Sequence, residues 1–257
     1  MPKLGEIMSG GGPLMVVIAI LAGIIPAALW LFFWLREDSE DKEPFGLLVM
    51  TFLAGMLSVI IVIPFQKIVA GLFTDTITQT VLWSACEEII KYLAFLVIVS
   101  RTPYLDEPME YPIYLMTAGL GFAALENGLF LMHPLAASDT VVSLLTGNLR
   151  FLGATLLHSV CSGIVGIGLG IAYFKSRELK NTYLVIAMFV AIALHAVFNF
   201  FIIEKNGENF FQIFGFLWVS TIIIMLLFEK LRRMGKYVRP TAVDPNGIPH
   251  YQYVKRP

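Results

Sequence analysis

Seven runs of apolar residues, each close to the roughly 20 needed to cross a bilayer as a helix, account for most of this chain. They lie near 13–35, 45–66, 80–100, 113–133, 148–174, 183–203 and 210–228. Short polar breaks separate them: "REDSEDKEP", "RTPYLDEPMEYP", "KSRELKN" and "EKNGEN". None of the breaks is large enough for a separate soluble domain. The pattern predicts an all-α fold, a polytopic membrane bundle of about seven transmembrane helices. The first run is too long for a signal-peptide core and reads as a retained helix. One domain spans 1–235. A polar tail, 236–257, is rich in Pro and reads as mobile or loosely docked.

Composition agrees with the pattern. Of 257 residues, 57% are hydrophobic and only 14% charged, and the mean hydropathy of +0.77 is far above that of a domain whose surface meets water. The expected location is the cell membrane, with several passes through the lipid bilayer. A net charge of −1 with basic residues in short clusters gives no footing for nucleic-acid binding. Cys86 and Cys161 both fall inside apolar runs, where Cys serves as a small hydrophobe.

Charge at the ends of the runs predicts orientation, because cytoplasmic loops carry the excess of Lys and Arg. With the N-terminus outside, the inner side holds Arg36, Lys42, Arg101, Lys175, Arg177, Lys180, Lys230, Arg232, Arg233, Lys236 and Arg239, against Lys3, Lys67, Arg150 and Lys205 on the outer side. The N-terminus is therefore expected outside and the C-terminus in the cytoplasm.

Within the apolar runs, a few ionisable residues stand out. The third run carries "SACEEIIKYLAF", with Glu87, Glu88 and Lys91; the fourth carries Glu126, the fifth His158 and the sixth His195. At 1.5 Å per residue and with the orientation above, all four helices place these groups roughly 10–15 Å beneath the outer surface. Ionisable groups in hydrocarbon cost about 2.5–3.5 kcal/mol each or more, so groups at one level are expected to meet. The spacing of four between Glu87 and Lys91 predicts an ion pair on one helix face, leaving Glu88 free for chemistry. Phe122 with Glu126, and His195 with Asn199, share the same spacing. On the fifth helix Gly163, Gly166, Gly168 and Gly170 are expected to let neighbouring helices approach closely.

Carboxylates and imidazoles in a wet membrane pocket point to hydrolysis by one of two routes, both open at this point. In one, Glu126, His158 and His195 hold a zinc ion that acidifies a bound water, with Glu87 or Glu88 as base. In the other there is no metal: a buried carboxylate takes the proton from water, and His and Asn bind the oxyanion. The reading leans to the metal-free form. The alternative from another class is a proton- or ion-coupled transporter or channel built on the same Glu and His cluster.

"EEIIK" at Glu87–Lys91, "GFAALEN" at Gly121–Asn127, His158 before its small-residue run, and "HAVFN" at His195–Asn199 resemble the four motifs of the PrsW family of intramembrane proteases, in the expected order over about 80–203. "DEPMEYPIY" resembles that family's acidic lead-in, with Glu110 in place of the expected Asp. The resemblance implies an endopeptidase cutting single-span, membrane-anchored substrates near the outer face, of the anti-sigma-factor site-1 type. It carries catalytic roles to Glu87, Glu88, Glu126, His158, His195 and Asn199, with Lys91, Phe122 and Asn127 in support.

Overall fold

The computed structural model describes residues 13–37, 43–136, 153–204, 210–235, 238–243 and 249–253. Among them are seven helices: α1 (Pro13–Glu37), α2 (Phe45–Leu72), α3 (Thr76–Ile98), α4 (Glu110–Ala136), α5 (Thr155–Ile171), α6 (Arg177–Glu204) and α7 (Phe210–Gly235). Five of them, α1, α2, α4, α6 and α7, contain segments long and apolar enough to cross a membrane. The other two are α3, which carries Glu87, Glu88 and Lys91 within 23 residues, and α5, which is 17 residues long.

Burial sorts the helices into a centre and a rim. Residues 112–124 of α4 and 155–163 of α5 are buried without a break, so these two are surrounded by protein on all sides. Helix α4 packs against α1, α2, α3 and α5, and α5 also against α6 and α7. The rim helices turn large apolar side chains outward, among them Leu21 and Phe32 on α1, Ile60 on α2, Phe189 on α6 and Leu226 on α7. Apolar surface of that extent is what a lipid-covered protein presents.

Glycines make the central contacts possible. A Cβ on Gly55 of α2 would strike the Ala118 carbonyl of α4, and one on Gly121 of α4 would strike the Phe52 carbonyl of α2. On α5, added Cβ atoms at Gly163, Gly166, Gly168 and Gly170 would meet Met116, Pro112, Ala187 and Pro108. The expected close approach along the fifth helix is therefore present. It seats α5 against α4 on one side and α6 on another.

The tail departs from expectation. Residues read as mobile form an antiparallel hairpin, β1 (Val238–Val243) with β2 (Pro249–Tyr253), so the fold is a helical bundle with a two-stranded addition. The register breaks between Pro240 and Ala242, where proline, lacking an N–H, is tolerated in a ladder.

Candidate active site

Helices α2 through α6 bring their polar side chains to one buried place. Glu87, Glu88, Lys91, His158 and His195 are each no more than 4% exposed. Lys91 Nζ lies 2.7 Å from Glu88 Oε1 and 2.7 Å from His158 Nδ1. His158 Nε2 is 3.0 Å from Glu126 Oε2. His195 Nδ1 is 2.6 Å from the same Glu88 Oε1, and its Nε2 is 3.6 Å from Glu87 Oε2. The two imidazoles meet edge to face at 5.1 Å. Phe122 lies against both Lys91 and His158, 4.6 Å from Nζ to the ring centre and 5.3 Å between rings.

The expected pairing within α3 is reversed. Lys91 takes Glu88, three residues back, rather than Glu87, four back. Both spacings bring side chains together on a helix, and His158 on α5, which also contacts the ammonium, draws it to the Glu88 side. Glu87 instead accepts a hydrogen bond from Gln66 Nε2 of α2 at 2.8 Å. Its second oxygen, Oε2, is buried with no hydrogen-bond partner.

Partner chemistry fixes the protons. An ammonium only donates, so His158 Nδ1 accepts from Lys91 and the ring proton sits on Nε2, donated to Glu126. A carboxylate accepts, so His195 Nδ1 donates to Glu88 and, in the neutral ring, Nε2 keeps a free lone pair. With Glu87 ionised and the His195 ring neutral, Glu87 Oε2 and His195 Nε2 are two acceptors 3.6 Å apart. Such a pair suits a water that donates to both, or a cation.

Two sets of three side chains each offer one ligand atom within 4.8 Å of the others: Glu87, His158 and His195, and Glu88, Cys161 and His195. The expected set of Glu126, His158 and His195 is not among these groups within the described residues; Glu126 Oε2 instead meets His158 Nε2. Cys161, read as a small hydrophobe, is fully buried in the apolar core and also borders the site.

The remaining expected residues stand further out. Asn127 Nδ2 donates to Thr155 Oγ1 at 2.8 Å, tying α4 to α5 one turn before His158. Asn199 is half-buried, with no hydrogen bond to the other site residues described above. Sequence reasoning missed Gln66, because Lys67 next to it marked the end of the second run. The apolar stretch resumes after Lys67 and α2 continues to Leu72, which makes Gln66 a polar side chain within a span.

A sequence model described as "PrsW family intramembrane metalloprotease" matches residues 43–228, which includes every group in this cluster. The chain belongs to the PrsW family. Protease PrsW of Geobacillus kaustophilus is 26% identical over 232 residues, covering 88% of this chain and 96% of that protein. Protease PrsW of Bacillus subtilis is 24% identical over 208 residues, covering 77% and 90%, and that of Clostridioides difficile 25% over 228 residues, covering 85% and 90%. No solved structure matches the chain. As a PrsW-family chain with long apolar helices, it is a multi-pass protein of the cell membrane.

Proposed function

We propose that this PrsW-family chain is an active intramembrane endopeptidase in which Glu87 is the base. The observation that carries the reading is the facing pair of acceptors, Glu87 Oε2 and His195 Nε2, 3.6 Å apart and buried. A water between them donates one hydrogen to each. As its oxygen attacks the scissile carbonyl carbon, Glu87 takes the proton and later gives it to the amide nitrogen when the C–N bond breaks. Glu88, neutralised by Lys91, holds His195 Nδ1–H and so keeps Nε2 open. Glu126 holds His158, and Asn199, four residues after His195 on α6, is the amide offered to the oxyanion.

The same donors fit a zinc-type ion. Glu87, His158 and His195 would hold it, and when bound it would acidify a coordinated water. His158, whose ring nitrogens are taken by Lys91 and Glu126, joins only by giving up one of them. The metal-free set leaves those contacts as they are, and for that reason it is the form we favour.

All seven helices cross the membrane in this reading. At 1.5 Å per residue, the 23 residues of α3 reach about 35 Å. The excess of basic residues on one side puts the N-terminus outside and the tail hairpin, in a separate segment 236–257, in the cytoplasm. The cluster then lies nearer the outer face. Its substrates are single-span membrane proteins cut near that face, as in site-1 cleavage of anti-sigma factors.

Reconstituted with a panel of single-span membrane proteins, the wild type is expected to cut at least one, and Glu87→Gln to cut it about a hundredfold to ten-thousandfold more slowly. Cleavage by Glu87→Gln at the wild-type rate would sink the assignment. Dialysis against a chelator separates the two routes: loss of cleavage restored by zinc would reverse our preference for the metal-free form.

A further inference from the structure

Gln66 lies outside every motif that marks the site, yet it is the residue that holds Glu87. It is 8% exposed, two residues past Pro64 inside α2, and its Nε2 donates to Glu87 Oε1 at 2.8 Å. Its own carbonyl is fixed in turn: Trp83 Nε1, one turn before Glu87 on α3, donates to Gln66 O at 3.0 Å. The chain Trp83, Gln66, Glu87 thus ties α2 to α3 at the carboxylate and one turn before it.

We propose that Gln66 is a positioning residue that makes Glu87, rather than Glu88, the working carboxylate. A carboxyl group rotates about its last bond, and either oxygen could turn toward His195. The Gln66 amide occupies Oε1 and so commits Oε2 to the side of His195 Nε2, where it stays unpaired. Glu88 has no such freedom, because one of its oxygens, Oε1, already serves both Lys91 and His195. Two adjacent acids become different by what each touches. The proposal rests on the endopeptidase reading above and names the device that orients its base.

The test uses the full chain in proteoliposomes and a reporter with one apolar helix of about 20 residues between maltose-binding protein and a fluorescent protein. Gln66→Met removes the donor at nearly constant volume. We expect kcat to fall about tenfold to hundredfold, the scale of losing an orienting contact, with KM within about twofold; the melting temperature should fall as well, because a buried carboxylate loses its donor. On a Glu87→Asp background, where the carboxylate is withdrawn from the amide, Gln66→Met should cost clearly less, which a purely structural role would not produce. Trp83→Phe removes the hold on Gln66 and should lower kcat about twofold to tenfold in the same way; it decides alone if Gln66→Met does not fold. Wild-type kcat in Gln66→Met, or in Trp83→Phe should Gln66→Met not fold, overturns the proposal, as does a loss confined to KM. If the reporter is uncut by wild type, or cut normally by Glu87→Gln, the endopeptidase reading has failed first and the proposal falls with it; a dead Glu87→Gln beside an unimpaired Gln66→Met sinks the Gln66 proposal alone.

Discussion

Among the described residues two clusters of acids stand apart, and they are built on opposite principles. Around Glu87 and Glu88, five helices contribute acids, imidazoles, an ammonium and an amide. At the start of α4, Glu43, Asp106, Glu107 and Glu110 gather with Tyr114 and Tyr173. There Tyr114 Oη donates to Glu43 Oε2, Tyr173 Oη donates to the Asp106 carbonyl at 2.6 Å, and the Glu107 N–H donates to Glu110 Oε2 at 2.9 Å. Sixteen residues of α4, about 24 Å, separate Glu110 from Glu126. In the second cluster Glu43 and Glu110 accept from a hydroxyl and a peptide N–H, as at a helix cap, and Tyr173 holds the Asp106 main chain. The first couples acids to bases across helices and leaves a buried oxygen of Glu87 without a partner. Acids that accept from hydroxyl and peptide donors of neighbouring segments hold elements together; a mixed cluster with an open acceptor has chemistry left to do.

The sharpest way to break that contrast lies within α3. Beyond the loss of cleavage in Glu87→Gln, the neighbouring Glu88→Gln should cost stability as well as cleavage. It strands the Lys91 ammonium, 1% exposed, and leaving one partner of a buried ion pair uncompensated costs about 3–5 kcal/mol. Removing both partners in Glu88→Gln with Lys91→Met should recover part of that. Thermal unfolding in detergent measures it, and equal melting temperatures for Glu87→Gln and Glu88→Gln would mean that the two acids are not differently employed.

At the other cluster the effect should be on folding alone. Tyr114 is fully buried, and Tyr114→Phe deletes its hydroxyl contact to Glu43, a hydrogen bond to an acid worth about 1.5–3 kcal/mol. The melting temperature should fall while kcat stays within about twofold of wild type. A kcat loss as large as that of Gln66→Met would join the two clusters into one functional unit and remove the distinction drawn here.

How much of this could be read in the chain follows from the same physics. Apolar runs of about 20 residues specify helices without reference to their neighbours, so all seven were visible. The gathering of Glu87, Glu88, Glu126, His158 and His195 was visible too, because charge in hydrocarbon forces its carriers together. The partner of Lys91 was not, since spacings of three and four are both neighbours on a helix and the choice was made by His158, 67 residues away. Gln66 was hidden by Lys67, which mimics the end of a span, and the contact of Gln66 with Glu87 depended on how α2 packs on α3. The pairing of 238–243 with 249–253 was hidden by a Pro-rich, polar composition that gives no clear strand alternation.

The smallest expected effect lies outside both clusters and tests whether α3 is held at its entry as firmly as at its centre. Asp75 caps α3 by accepting the Thr78 N–H at 2.8 Å, and that hydrogen bond holds its carboxyl below the ordinary Asp range. A carboxyl lowered in the folded state stabilises it above the unfolded value of about 3.9, and the contribution fades as pH falls through the folded value. Asp75→Ala should therefore lower the melting temperature slightly at pH 7, with the gap to wild type closing as the pH drops below about 4. Because the cap is fully exposed to water and lies 12 residues before Glu87, cleavage at pH 7 should be unchanged. A gap that persists undiminished at low pH would show that Asp75 acts through something other than its charge at the helix start.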